Sequence, residues 1–527
     1  MNLLEDAWIP AIRQDGSRCH IAPWQIAEKD NPAVELAAPR PDFQGALYQF
    51  LIGLLQTTFA PEDQEVWLEY WRKPPAPEQL REVLVAFAPA FELVNPDGPA
   101  FMQDFDLPES EYKPIASLLI DAPGAKTCKD HLDHFVKSGE AVKFCPSCAA
   151  TALFTLQTNA PSGGQGHRVG LRGGGPLTTL VIPAEADTLW HKLWANVLTQ
   201  EDIEADASAD DSAVFPWMGM TRLSDKSGSQ TLPDDVHPLQ MYWGMPRRIR
   251  LQFEQCDLLS CSMCGESTTR AVSHFHTTNY GTNYEGPWEH PLTPYRFDLK
   301  NEKPPLSLKG QPGGLGYRHW LGLAWQDASN GDRAAQVVRL FNEERADQLS
   351  GDTLARLWCF GYDMDNMKAR CWYESTLPLL ALDAAQRHFF LEAAAQLIDA
   401  GKETVSLLRG QVKAAWFSRP KDVKGDMSLV DRSFWQRTEA DFYSHLQALA
   451  QLPAGTRHLP AATAAAWLTT MRQSALGLFD SWALEGNAED MNMKRIIGAR
   501  NTLEAKLETA KSLKALKQIA KANTEAA

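Results

Sequence analysis

The chain has 527 residues and a formal net charge of −15, with 44% hydrophobic and 22% charged residues. This length predicts two or more domains with sizeable cores. The acidic balance argues against a free-standing, non-specific nucleic-acid binder, which is usually basic. It leaves room for a protein that binds nucleic acid inside a complex whose other subunits supply the positive field.

Cysteine usage and the hydropathy pattern predict a cytoplasmic protein. The nine cysteines are an odd number spread over a long chain, which argues against a secreted disulfide framework. The opening MNLLEDAW is acidic and does not resemble a signal peptide. No run of 18 or more apolar residues occurs, so we expect no membrane-spanning helix and no membrane partner.

The pattern along the chain predicts an α+β protein with two domains. Residues 1–375 mix short strands with helices, so we expect a mixed α/β domain there; residues 44–56 suit a helix, and residues 178–182 and 248–251 suit strands. Residues 376–527 are predicted to form a four-helix bundle, because four long segments of helical periodicity are joined by short linkers. These segments are 383–417, 429–451, 461–484 and 490–520. Their predicted core includes Leu446, Leu449, Leu503, Leu507 and Leu513.

The lysines of the last segment predict a solvated helix face, with a nucleic-acid or subunit contact as the alternative. They are Lys506, Lys511, Lys514, Lys517 and Lys521.

The most informative stretch is residues 145–180, where a Cys-x-x-Cys motif, an apolar helix and a loop with seven glycines and two arginines follow one another. Glycine lacks a Cβ and tolerates positive φ, so this loop can bring its backbone close to a ligand. Arg168 and Arg172 point to an anionic ligand. Neither the P-loop pattern nor the dinucleotide fingerprint fits. A surface loop without a ligand stays open as the alternative.

Two Cys-x-x-Cys pairs predict one structural zinc site. The pairs are Cys145 with Cys148 and Cys261 with Cys264. Four thiolates make a closed tetrahedral zinc site, which leaves no position for a catalytic water. Simple core or surface thiols and a redox pair are the alternatives, although no thioredoxin-like pattern surrounds either pair.

No arrangement of nucleophile, base and orienting group is convincing, which favours a binding protein over an enzyme. The HExxH and GxSxG motifs do not occur. His274 and His276 could face one side of a strand as metal ligands would, but no nearby acidic residue completes a set. We interpret them as polar surface or core residues.

Several sequence blocks, taken in order and spacing, resemble one family over almost the full length. The blocks lie at residues 2–10 (NLLEDAWIP), 101–103 (FMQ), 145–180, 243–249, 288–291 (WEHP) and 361–370 (GYDMDNMKAR). They resemble the large subunit, often called CasA, of the type I-E CRISPR Cascade surveillance complex.

This resemblance implies a non-catalytic subunit of an RNA-guided antiviral complex. Such a subunit would recognise the protospacer-adjacent motif in duplex DNA, mainly from the minor-groove side. It would help to open the duplex for pairing with the guide RNA and would dock the helicase-nuclease. The implied partners are the other Cascade subunits, the guide RNA, the target double-stranded DNA and that helicase-nuclease.

The resemblance also implies roles for particular residues. The motif-recognition loop corresponds to Ser162, Gly163, Gly164, Gln165 and Gly166. Arg168 and Arg172 would contact phosphates. The strand-separating wedge corresponds to Asp365, Asn366 and Met367, and Lys126 and Lys129 fit a guide-RNA contact loosely.

One departure from the family affects the motif contact. The family uses a lysine between the second Cys-x-x-Cys and the WEHP block, whereas residues 264–288 of this chain contain no lysine. Arg270, His274 and Asn279 are the candidates to replace it.

Two other functional hypotheses remain: a zinc-dependent hydrolase acting on nucleic acid, and a scaffold that binds only proteins.

Overall fold

A computed structural model gives the fold of most of the chain. It describes residues 1–104, 106–108, 110–123, 128–129, 139–164, 166–184, 186–203, 211–224, 229–311, 313–349, 355–365, 368–380, 382, 384–453, 455–485 and 491–522. Two compact units form. The mixed unit comprises Met1–Gly310, Ala335–Phe341 and Arg356–Glu374, and the helical unit comprises Gln311–Ala334, Asn342–Ala355 and Ser375–Ala527.

The secondary structure mixes helices and strands, which confirms the predicted α+β class. The strands are β1 (Ile9–Arg13), β2 (Arg18–Ile21), β3 (Ala33–Leu36), β4 (Glu111–Pro114), β5 (Thr178–Ile182), β6 (Arg248–Ser260), β7 (Ser267–Thr278), β8 (Tyr295–Arg296), β9 (Leu306–Ser307), β10 (Gln326–Asp327), β11 (Asp332–Arg333), β12 (Ala355–Asp365) and β13 (Lys368–Leu379). The α-helices of the mixed unit are α1 (Pro41–Thr58), α2 (Gln64–Arg72), α3 (Pro77–Val85), α4 (Pro146–Asn159), α5 (Leu189–Trp194), α6 (Gln200–Ile203), α7 (Asp211–Val214) and α9 (Gln336–Leu340), and α8 (Trp320–Ala324) belongs to the helical unit.

Helix α1 lies at the centre of the mixed unit. It begins with Pro41, whose fixed φ suits the first turn, and nearly all its residues are buried. The ring of Phe50 packs edge-on against five aromatic rings at centroid distances of 5.4–6.1 Å. Since replacing a buried phenylalanine with alanine costs about 3–5 kcal/mol, this cluster is a main source of the unit's stability.

Helix α4 connects the two segments singled out from the sequence. Cys145 is its N-cap, and the chain leaves the helix at Ala160, immediately before the glycine-rich loop. The helix packs against α1 and most of its residues are buried, so it is anchored in the core. The cysteine cluster and the loop are therefore held by one rigid element.

Two antiparallel sheet pairings position the other candidate residues. In the sheet ordered β4-β7-β6, Tyr112 on β4 lies opposite His276 on β7. Strand β6 contains the predicted strand 248–251 and continues beyond it to Ser260. In the sheet ordered β13-β12-β5, strand β12 pairs with β5 from Arg356–Ile182 to Phe360–Thr178. Strand β12 then continues to Asp365.

The helical unit contains a four-helix bundle, as predicted. Its α-helices are α8 (Trp320–Ala324), α10 (Ala384–Trp416), α11 (Ser428–Ala450), α12 (Ala461–Leu484), α13 (Met493–Thr509) and α14 (Lys511–Ala522). The five leucines that were predicted to be core are buried. None of the described helices is long and apolar enough to cross a membrane.

The expectation of a single helix over residues 490–520 is wrong. The chain leaves the helical conformation at Ala510, where φ is −59° and ψ is 139°. The carboxylate of Glu403 on α10 accepts hydrogen bonds from the amides of Lys511 (3.0 Å) and Ser512 (2.7 Å). This side chain supplies acceptors for amides that a new helix start leaves unpaired, so the tertiary contact favours the break.

Candidate nucleic-acid interface and cysteine cluster

The two Cys-x-x-Cys pairs meet in one cluster. The four sulfur atoms lie within 4.8 Å of one another, and the Cys145 and Cys264 sulfurs are 3.8 Å apart. A tetrahedral zinc site with bonds of about 2.3 Å has sulfur–sulfur edges of about 3.8 Å. Cys145, Cys148 and Cys261 are buried and Cys264 is partly exposed. The arrangement can hold a metal ion.

The backbone around the cluster favours thiolate ligands. The Cys261 sulfur accepts hydrogen bonds from the amides of Cys145 (3.2 Å) and Met263 (3.4 Å). Gly265 adopts a φ of +77° and donates its amide to the Cys261 carbonyl, which closes a tight knuckle. The Cys145 sulfur raises the pKa of the Cys148 thiol and lowers the pKa of the Cys261 thiol. Opposed shifts of this kind arise because neighbouring thiolates repel one another, so the ionised form of one thiol disfavours ionisation of the next. A bound divalent cation would remove this repulsion.

The geometry does not favour the hydrolase alternative. A catalytic zinc keeps one position open for water, whereas four converging sulfur atoms complete the tetrahedron. Metal binding needs at least three Cys, His, Asp or Glu side chains whose ligand atoms lie close together. In the described part of the chain, these four cysteines form such a group. His274 and His276 instead contact Tyr112, and the His274 ring stacks on it at a centroid distance of 4.3 Å.

The glycine-rich loop forms a short exposed turn. The Gly163 amide donates to the His167 carbonyl (3.2 Å), and the His167 amide donates to the Gly164 carbonyl (3.4 Å). Ser162, Gly163 and Gly164 are exposed. Gly164 has a φ of +94° and a Cβ there would meet only open space. Gly163 and Gly164 thus present side-chain-free backbone to the surroundings, and Gln165 lies outside the described residues.

The base of the turn packs closely against the residues that directly follow strand β7. Gly166 has a φ of +77°, and a Cβ there would lie 2.8 Å from the Cβ of Asn279. The Tyr280 amide donates to the Gly166 carbonyl over 2.8 Å. Of the three candidates to replace the family lysine, Asn279 is therefore the one next to the loop. Arg270 lies further back on β7, towards the cysteine cluster, and His274 stacks on Tyr112.

The two loop arginines have different surroundings. The half-buried Arg168 donates from Nε to the Ser224 hydroxyl over 2.7 Å. Arg172 is only 4% exposed and donates to Gln49, Thr178 and Thr293. Burial lowers the pKa of Arg172 to about 10. Because a phosphate would have to displace these internal bonds, the geometry gives Arg172 a packing role and does not support its predicted phosphate contact.

The predicted wedge begins at the end of strand β12. Asp365 is the exposed last residue of β12, and Asn366 and Met367 lie outside the described residues. Two residues earlier, the buried Asp363 accepts a hydrogen bond from Arg370 on β13 over 2.7 Å. This ion pair fixes the ends of the two strands together, and Gly310 bridges to Asp363 from the other side.

The predicted guide-RNA contact is only partly described. Lys129 is exposed, whereas Lys126 lies outside the described residues.

Arg247, which was not predicted from the sequence to have a role of its own, lies directly against Gly163. Its signal in the sequence was weak, because Arg247 and Arg248 are adjacent and only the structure distinguishes their environments.

Comparison with known proteins identifies the family. The family model for the CRISPR-associated protein Cse1 matches residues 2–478. The Thermus thermophilus CasA (Cse1) structure has a TM-score of 0.65 at 19% identity, covering 96% of this chain and 99% of that chain. The Thermobifida fusca Cse1 structure has a TM-score of 0.68 at 17% identity, covering 97% and 98%.

A chain from a structure described as a CRISPR RNA-guided surveillance complex is also similar. Its TM-score is 0.66 at 14% identity, and the alignment covers 96% of this chain and 99% of that chain. These likenesses show a shared fold, and the match to the family model spans most of the sequence. The chain belongs to the CRISPR-associated Cse1 family, which confirms the resemblance drawn from its sequence blocks.

Proposed function

We propose that this protein is the DNA-recognition subunit of a type I-E CRISPR Cascade complex. It recognises the protospacer-adjacent motif in duplex DNA, helps to open the duplex for guide pairing and docks the helicase-nuclease. Its partners are the other subunits, the guide RNA, the target duplex and the nuclease, and it performs no catalysis itself. Family membership supports the assembly role, and the docking of the nuclease rests on family membership alone.

The observation that carries the DNA-recognition proposal is the exposed turn around Gly164. The minor groove is only about 6 Å wide, so the backbone at two consecutive glycines can approach base edges that a bulkier turn cannot reach. Within the described part of the chain, the amides of Ser162 and Gly164 donate to no protein acceptor. Minor-groove edges offer acceptors at adenine N3 and thymine O2, which free amides can meet. Readout of this kind is degenerate, so several related motifs would be accepted.

The tip of the β12–β13 hairpin is the proposed wedge. Asp365, Asn366 and Met367 would insert below the last motif base pair and replace its lost stacking. Unstacking costs about a few kcal/mol per step, which an inserted side chain offsets. The Asp363–Arg370 ion pair supports this proposal, because an inserting hairpin must stay stiff at its base.

The remaining residues have supporting roles in the proposal. Arg168 contacts a phosphate from its position beside Ser224, and Lys126 and Lys129 contact the guide RNA. The four clustered cysteines hold one zinc ion, which crosslinks the start of α4 to the β6–β7 connection. The zinc supplies no chemistry to a substrate; it fixes the helix that leads to the turn.

A motif-selection experiment tests the proposal. Complexes are assembled on one guide RNA with and without this chain and mixed with duplexes that are randomised beside the guide-matched target. We expect sequencing of the bound duplexes to show an enriched motif only when the chain is present. Equal enrichment without the chain would refute the recognition role. Affinity purification from the host, followed by sequencing of bound RNA, tests the assembly role separately.

A further inference from the structure

A second arginine lies directly beneath the proposed recognition turn. A Cβ on Gly163 would be 2.5 Å from Nη1 of Arg247. The Arg247 side chain reaches this position from the segment before β6, and its Nη2 donates to the Pro161 carbonyl. Its backbone is fixed as well, because the amide and the carbonyl of Arg247 both bond to the side chain of Gln157 on α4. The guanidinium is therefore held in place beside the exposed turn.

This guanidinium has no charge partner in the described part of the chain. Its buried Nε makes no hydrogen bond, and burial alone lowers the pKa of Arg247 to about 10. The adjacent Arg248 shows the ordinary arrangement, since it pairs with the buried carboxylate of Asp104. Burying an unpaired charge is costly, so the environment of Arg247 is one that a bound anion would stabilise.

The titratable groups around Arg247 leave its charge unpaired among the described residues. His167 lies against the same glycine, and its pKa is lowered to about 4 by burial, by Arg247 and by Lys113. Lys113 on β4 has a carboxylate partner, Glu111, at 3.2 Å. Among the described residues, Arg247 is thus an uncompensated cation beside a turn in which the amides of Ser162 and Gly164 donate to no protein acceptor.

We propose that Arg247 binds a backbone phosphate of the target duplex beside the motif. The inference rests on the proposed function, because it places the duplex on the glycine turn. It also supplies a cation where this chain has no lysine between residues 264 and 288. The phosphate contact would set the depth at which the turn enters the minor groove, while the turn itself reads the bases.

The competing explanation is that Arg247 only supports the turn by holding Pro161. The salt dependence of binding separates the two roles. Each phosphate neutralised by a protein cation contributes about 0.9 to the slope of log affinity against log salt concentration. Between about 50 and 200 mM salt, one lost contact makes the fall in affinity about 3.5-fold smaller than for wild type. A purely supporting residue would leave this slope unchanged.

The test uses the assembled complex and the Arg247→Gln variant. Binding to motif-bearing and motif-lacking duplexes is measured at several salt concentrations. We expect weaker binding to both duplexes by a similar factor and a slope lower by about 0.9. The matched control is Arg356→Gln, which removes an exposed arginine at the far end of β12 and should leave the slope at the wild-type value. A loss confined to the motif duplex with an unchanged slope, or no loss at all, overturns the proposal.

A second measurement covers the case in which Arg247→Gln does not fold. Arg247→Lys keeps the charge but cannot form the two-pronged guanidinium contact. Duplexes with single methylphosphonate linkages beside the motif are bound to this variant and to wild type. At one position, the methylphosphonate linkage should weaken binding by the wild type more than it weakens binding by the variant. Equal losses of affinity at every position refute the contact. If the wild-type complex shows no motif preference at all, the proposed function fails first, independently of Arg247.

Discussion

The recognition turn can be tested by a substitution that is almost purely local. Gly164→Val places a branched side chain at a φ of +94°, on a surface where a Cβ meets no atom within 4 Å. Gly16, in the β1–β2 turn, offers a matched control. Its φ is +84°, and a Cβ there also meets no atom within 4 Å. The two variants therefore impose similar backbone strain on the same unit, and only one of them alters the proposed DNA contact.

The expected magnitudes follow from these environments. A residue other than glycine in this conformation costs about 1–3 kcal/mol, so both variants should lose stability by a similar amount within that range. Each mismatched base pair in a recognition site costs about 1–3 kcal/mol, which corresponds to about 5- to 160-fold in affinity. Gly164→Val should lose a discrimination of this size because its side chain keeps the turn away from the base edges. Gly16→Val should keep the wild-type value.

The assay compares motif-bearing with motif-lacking duplexes that share no sequence with the guide RNA, so that strand opening does not contribute. Thermal unfolding of both variants provides the control for folding. If Gly164→Val destabilises the protein as much as Gly16→Val but still prefers the motif duplex like wild type, the turn does not read the motif. That result would falsify the assignment of the turn without touching the family assignment.

Three further predictions concern the cysteine cluster, the wedge and one histidine. Protein purified without chelators should contain about one zinc per chain by elemental analysis, and joint replacement of Cys145 and Cys261 by serine should abolish this zinc and lower the unfolding temperature. Metal-free protein of unchanged stability would contradict the site. Changing residues 365–367 to glycine should spare motif binding but slow strand opening, measured by fluorescence of a base analogue in the duplex; unaltered opening rates would count against the wedge. The pKa of His167 is lowered to about 4, so the unfolded chain binds more protons than the folded chain between about pH 6.5 and 4, and stability should fall on acidification through this window. His167→Gln should weaken this pH dependence in urea unfolding, whereas the exposed His388→Gln should not.

The fold could be predicted where local periodicity decides the structure. The long helices of the bundle follow the spacing of their apolar residues, and the predicted bounds of three of them agree with the structure to within a residue or so. The break at Ala510 could not be predicted in this way. It is favoured by the carboxylate of Glu403, which is distant in sequence and caps the new helix start. A tertiary contact overrides the local pattern there.

The candidate site could be predicted in part, and the difference lies in burial. Ligand chemistry and spacing were enough to suggest that the two Cys-x-x-Cys pairs meet, as their sulfur atoms do. Arg172 and Arg247 show the opposite case. The first looked like a phosphate ligand but is enclosed by hydroxyl and amide partners. The second was predicted to have no role of its own, but its charge has no carboxylate partner in the described part of the chain and its Nε makes no hydrogen bond. Sequence patterns identify which residues carry charge, but not which charges are compensated.

The glycines of the loop segment divide into two groups that the sequence cannot separate. Gly164 faces open space, whereas a Cβ on Gly174 would lie 2.9 Å from the Cα of Pro161. A Cβ on Gly175 would lie 2.6 Å from the Met364 side chain and 2.9 Å from the Tyr362 carbonyl. The second group therefore allows the backbone at residues 174–175 to pack closely against Pro161, which precedes the turn, and against β12, which leads to the wedge. Because these two elements share one support, a bulky residue at Gly175 should disturb both motif binding and strand opening, whereas one at Gly164 should disturb motif binding alone.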